Sequence, residues 1–132
     1  MAIKHYTQGE NDVELFGPIG SLLVNKEIQQ QLGMAVNSAD GDYWWTMPCG
    51  FCTARLMKNG AMHIRHVYAA KPADRKKLIE TAIASAEFSG CKSIWTNDRS
   101  TEMLWDQLGF DGATDKKRGE FIRWEKKLEV SE

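Results

Sequence analysis

No apolar run in this 132-residue chain approaches the length of a membrane span, so no membrane-crossing helix is expected. The first residues, MAIKHYTQGEND, have neither the basic start nor the apolar core of a secretory signal. Cysteine is scarce. Three residues, Cys49, Cys52 and Cys91, are too few and odd in number for a disulfide framework, which argues for a reducing, cytoplasmic compartment. An excess of one charge is also missing. Seventeen Lys and Arg balance eighteen Asp and Glu for a net charge of −1, which gives no electrostatic case for a nucleic-acid or membrane partner. Repeats, low-complexity tracts and linkers are absent, so residues 1–132 are expected to form one domain. Glycine is absent from Val67 to Phe88.

What is present is an alternation of strand and helix patterns. MAIKHY reads as a strand. DVELFGPIGSLLVNKEIQQQLG reads as one or two helices, broken at Gly17-Pro18 and stopped at Gly33. Three extended segments follow, YWWTMP, GFCTARLM and AMHIRHVYAA, the last two joined by the hairpin signal Lys58-Asn59-Gly60. Adjacent strand residues face opposite ways, so Trp45 is assigned to the core and Trp44 is left open between an exposed and an interface position. The strongest helix begins at Pro72, has Asp74 in its first turn, and carries the stripe Leu78, Ile79, Ala82, Ile83 and Ala86 before Gly90 ends it. KSIWTN is a strand, STEMLWDQL a short helix closed by Gly109, and FDGA opens another strand. TDKKRG then turns the chain into EFIRWEKKL. The order β-α-α-β-β-β-α-β-α-β-β implies an α/β (α+β) fold, a mixed sheet with helices on its faces.

This order resembles the GNAT (Gcn5-related N-acetyltransferase) superfamily. MHIRHVYAAKPADRKKLIETAI is similar to that family's fourth strand, pyrophosphate loop and third helix. WTNDRSTEMLWDQLGFDG with GEFIRWEKKL is similar to its fifth strand, its helix ending in Leu-Gly-Phe and its closing hairpin. The resemblance implies an acyl-CoA-dependent N-acyltransferase, with acetyl-CoA between splayed fourth and fifth strands and an unknown amine as second substrate. It further implies that backbone N–H groups around Val67 and Ala69 polarise the thioester. Ala73, Arg75, Lys76 and Lys77 would hold the pyrophosphate, and Asn97 would lie beside the cofactor arm.

Two departures stand out. The glycines of the family's Arg/Gln-x-x-Gly-x-Gly/Ala loop are replaced by residues with side chains, so Cβ atoms crowd a diphosphate that Arg75, Lys76 and Lys77 would have to hold by charge. The Tyr that serves many relatives as acid is replaced by Trp105, whose indole N–H has no useful acidity. In lacking the glycine loop the chain resembles short phage-encoded GNAT-like proteins. The alternative is therefore a catalytically inactive binding or structural protein, virion-associated if phage-encoded, with a protein partner in place of substrates; a homodimer is compatible with either reading.

A base is expected near the fourth strand. His66 is the first candidate and His63 the second. The apolar phase there shifts from even positions (Met62, Ile64) to odd ones (Val67, Ala69), which a β-bulge near Arg65-His66 explains. CGFC followed by HIRH also has the look of a zinc site, but its gaps are ten and two residues where about twelve and three to five are usual, and no metal is assigned. Cys-x-x-Cys in an extended segment lacks the helix N-terminus that activates redox thiols.

Overall fold

The computed structural model describes residues 3–10, 12–33, 36–99, 102–118 and 121–128. Its elements are β1 (Lys4–Thr7), α1 (Asp12–Leu23), α2 (Lys26–Leu32), β2 (Tyr43–Met47), β3 (Gly50–Leu56), β4 (Ala61–Ala69), α3 (Pro72–Phe88), β5 (Ser93–Arg99), α4 (Leu104–Gln107), β6 (Asp111–Arg118) and β7 (Phe121–Lys127). The seven strands form one mixed sheet in the order β1-β2-β3-β4-β5-β7-β6. Every neighbouring pair is antiparallel except β4 and β5, which run parallel and are joined through α3. The element order is the one expected from the sequence.

Each face of the sheet has its own core. On one face α3 buries all five residues of its apolar stripe, against Cys52, Ala54, Met62, Ile64, Val67 and Ile94. Trp105 and Phe110, at either end of the α4 turn, extend that core in a T-shaped contact. On the other face α1 lays Leu15 and Ile19 onto Trp44 and Phe51. Trp44 and Trp45 are therefore both buried, on opposite faces, and neither forms an exposed or interface surface. The N-terminal helices supply the cover that leaves Trp44 no solvent.

Two boundaries differ from expectation. The helix does not break at Gly17-Pro18. Pro18 lies inside α1, which runs on to Leu23, and the chain restarts at Asn25, whose side chain caps α2 by accepting from Ile28 N–H. Proline deletes one ladder hydrogen bond, and burial of Leu15 and Ile19, one turn apart, outweighs that loss. Residues 114–118, expected to turn the chain, instead continue β6.

Gly33 does end α2 as expected, at φ +81°, with its N–H donating to the Gln29 and Gln30 carbonyls. A Cβ there would lie 2.5 Å from Phe121 Cζ. Only glycine suits both the left-handed backbone and that close approach.

Candidate active site

The site originates in a change of register. On β3 the pairing steps from Thr53↔His66 to Ala54↔Ile64, so Arg65 is an extra residue on β4, a bulge where the apolar phase shift implies one. The bulge leaves Met62, Ile64 and Val67 facing α3. It also turns His66 to the opposite face, beside Thr53.

Beyond this point β4 and β5 separate. Their register covers only Ala61↔Ser93, Met62↔Ile94 and His63↔Trp95, and a last link runs from the Thr96 hydroxyl to the Ile64 carbonyl at 2.9 Å. Ala70 N–H donates back toward β3, to Cys49 O at 3.0 Å. Alternation along an extended strand then directs the Ala69 and Val67 N–H groups the other way, into the gap. A cavity of about 270 Å³ occupies the gap, lined among others by His66, Val67, Ala69, Asn97, Arg99 and Tyr68.

One end of the gap is crossed by side chains. Arg75, from the start of α3, reaches Asp98 on β5 (Nη2–Oδ2 2.9 Å) and Glu102 (Nη1–Oε2 3.3 Å). Its guanidinium lies 5.5 Å from the centre of the Trp105 ring, whose Nε1–H donates to the same Asp98 oxygen at 2.7 Å. A second cavity of about 520 Å³ opens on the far side, between Pro72 and the α4 turn, and both cavities share Ala69, Arg75 and Glu102. The Arg75 bridge thus divides a passage that would otherwise be continuous. Pro72 offers no N–H, Asp74 N–H bonds back to Lys71 O at 3.1 Å, and the Asp74 carboxylate adds negative charge to the same turn.

The residues expected at the site are distributed unevenly. His66, Val67, Ala69, Arg75 and Asn97 line the cavity. Ala73, Lys76 and Lys77 are exposed and line neither cavity. His63 stands in the still-paired part of β4, its ring stacked on Trp95 at 3.7 Å and 4°. Cys52 faces α3, while His63 and His66 face away from it, so the cysteine and the histidines cannot share a metal ion. Burial pushes the Cys52 thiol up to about 12, opposite to what a redox thiol needs.

His66 is 5% exposed, and its Nε2 accepts the Asn37 backbone N–H at 3.1 Å. That bond uses the Nε2 lone pair and fixes the ring proton on Nδ1. Burial, aided by the field of Arg65, lowers its pKa to about 4. His63 is also lowered to about 4, by burial first and then by Arg65, Arg123 and Arg55. Both rings are neutral at pH 7.

Four features here escaped the sequence reading: Asp98 and Glu102 as partners of Arg75, Tyr68 as a phenol on the cavity wall, and Arg99. Arg99 binds the Gln31 and Gln30 carbonyls at the C-terminus of α2 (2.7 and 3.3 Å) and stacks on Phe121, tying helix, β5 and β7 together. A usable signal existed for the acids, since Asp98 and Glu102 follow Asn97 at the end of β5, while the first turns of α3 carry Arg75-Lys76-Lys77.

No family model and no curated protein sequence matches the chain. Many solved structures do match its fold. A putative N-acetyltransferase from Lactobacillus plantarum superposes with a TM-score of 0.72 at 12% identity, over 96% of this chain and 97% of the other. The ribosomal-protein-S18-alanine N-acetyltransferase of Escherichia coli gives 0.65 at 13%, over 99% and 97%. A chain of the NatC complex bound to Gag peptide and CoA gives 0.62 at 16%, over 98% and 100%. With its bulged β4, its parting of β4 from β5 and these likenesses along nearly its whole length, the chain has the fold of the GNAT N-acetyltransferases.

Proposed function

We propose that the protein is an acyl-CoA-dependent N-acyltransferase acting on an amine. The observation that carries this reading is the gap between β4 and β5, with the Val67 and Ala69 N–H groups directed into it. Acyl-CoA would supply a thioester carbonyl, and those two N–H groups are the donors for its oxygen as negative charge develops. The amine forms the new C–N bond as the C–S bond breaks, its proton leaving to a base and the thiolate taking one from solvent. His66 is the base candidate on the cavity wall, once Nε2 is released from Asn37. A pKa of about 4 makes it a weak base, so the amine must arrive already neutral. His63, the second base candidate, is held against Trp95 in the paired part of β4 and does not line the cavity. Asn97 flanks the cofactor arm. Arg75, with Lys76 and Lys77 behind it, holds the diphosphate after leaving Asp98 and Glu102.

The thioester half of the cleft therefore fits the cofactor, and the diphosphate half fits once the Arg75 bridge opens. A thermal melt with acetyl-CoA tests the reading. Ligand at a hundredfold excess over Kd stabilises by about 2.7 kcal/mol, several degrees for a domain of this size. No shift at millimolar acetyl-CoA would sink it.

A second reading is favoured by one specific observation. The Arg75–Asp98–Trp105 network, on a helix start without glycine, crosses the end of the gap to which the proposed diphosphate would have to come. A protein that keeps the fold for binding a protein partner, without acyl transfer, would show this arrangement. A flat melt would support it.

A further inference from the structure

On the face opposite α3, the C-terminal half of the sheet has a polar surface built across neighbouring strands. Cross-strand partners place Arg55, His63, Trp95, Glu125 and Asp111 in one row, on β3, β4, β5, β7 and β6. Strands β4 and β7 flank β5, so the half-buried Trp95 ring is held between the His63 imidazole at 3.7 Å and the Arg123 guanidinium at 4.1 Å. In the adjoining row Asn97 pairs with Arg123, and the bulged Arg65 lies across the opening gap.

Three of the guanidiniums on this face are partnered very differently. Asp42 holds Arg55 through two bonds, at 2.7 and 3.1 Å. Among the described residues Arg123 has one ion-pair contact, 3.4 Å to Glu125, besides its place over the Trp95 ring, and its Nε is buried with no acceptor. Arg65 has one long bond, Nε to Asn37 O at 3.3 Å, and among the described residues no carboxylate partner. Both Arg65 and Arg123 bear electrostatically on His63, so their fields overlap at one place. Guanidinium forks select planar oxyanions, and partial burial makes such pairs stronger than they are in water.

We propose that this open sheet face, between Arg65 and Arg123, binds a carboxylate of an acidic peptide. A nucleic acid is a poorer match, because Glu125 and Asp111 continue the same row and confine the positive zone to the width of one carboxylate. The location connects the face to the cleft. Arg65 and Asn97 both line the cavity, so a peptide anchored here has its neighbouring groups at the cavity mouth. That the peptide is the acyl acceptor rests on the acyl-transfer reading; that it binds does not.

The test is an NMR titration without CoA, following the Trp95 indole and His63 ring signals. A terminally blocked tetraglutamate peptide is compared with its tetraglutamine counterpart. The glutamate peptide should shift both signals saturably, with the glutamine peptide at least tenfold weaker. Arg65→Gln, which removes only one long hydrogen bond and keeps the Trp95 sandwich, should weaken binding at least fivefold. Equal binding of the two peptides, no effect of R65Q, or tighter binding of an oligothymidylate would each overturn the proposal. Because CoA is absent, a failure here leaves the cofactor reading untouched, and a flat acetyl-CoA melt leaves the peptide site untouched.

Discussion

Asp98→Asn isolates the obstacle at the diphosphate end of the cleft. The substitution keeps the size of the side chain but removes the charge that holds Arg75 at 2.9 Å, and its single amide oxygen can serve only one of the two N–H donors, Trp105 Nε1 and Arg99 N, that now use separate Asp98 oxygens. Both partners are 18–19% exposed at the side chain, between the surface and fully buried cases. The loss of stability should therefore be about 1–2 kcal/mol. The same change should strengthen CoA binding. A unit charge ~8 Å from a phosphate, at an effective dielectric constant of ~40, interacts by about 1 kcal/mol, or roughly fivefold in Kd for each phosphate charge. Release of Arg75 to the ligand adds to that. Urea unfolding gives the first number and isothermal titration with CoA the second. Glu102→Gln, at 3.3 Å and more exposed, should move both the same way by less. Equal or weaker CoA binding by a folded D98N protein would refute the idea that this pair guards the cleft.

Acidification should destabilise the fold in a defined window. Both His63 and His66 have folded pKa values of about 4, below the ordinary 6.5, so the unfolded chain binds more protons between those values. Stability is then complete above pH 6.5 and falls toward pH 4, by on the order of 1–2 kcal/mol per histidine after allowing for partial exposure. Urea midpoints at pH 7.5 and 4.5 check this, and equal values would contradict it. Gly33→Ala forces a Cβ into a backbone at φ +81° and to 2.5 Å from Phe121. It should destabilise by about 2 kcal/mol or more, read as a drop in melting temperature. Of the three thiols, the exposed Cys49 should react with a maleimide in the native protein, while Cys52 and Cys91 react only on unfolding. Mass spectrometry showing early labelling of Cys52 would place β3 outside the core.

Much of this architecture can be read in the residues themselves, because local patterns carry it. The α3 stripe follows from helical spacing, and the phase change between Ile64 and Val67 locates the bulge to within a residue. What escapes is decided by contacts distant in the chain. Nothing near Trp44 says that α1 will cover it, and nothing near Pro18 says that Leu15 and Ile19 will hold the helix together across it. Arg75 reads as a free cation at a helix start. Only the parallel placement of β5 beside β4 brings Asp98, 23 residues on, into its reach. The same holds for His66, whose Nε2 is occupied by a backbone N–H from a loop 29 residues earlier.

The proposed acyl transfer requires the gap between β4 and β5 to receive CoA. An amide chemical-shift map of the ¹⁵N-labelled protein, recorded as CoA is added, tests it most directly. Saturable shifts are expected at Val67, Ala69 and Asn97 and at the Arg75 and Trp105 side-chain N–H signals, as the ligand enters and the bridge opens. Shifts confined to surface lysines such as Lys76 and Lys77, or none at millimolar CoA, would contradict it.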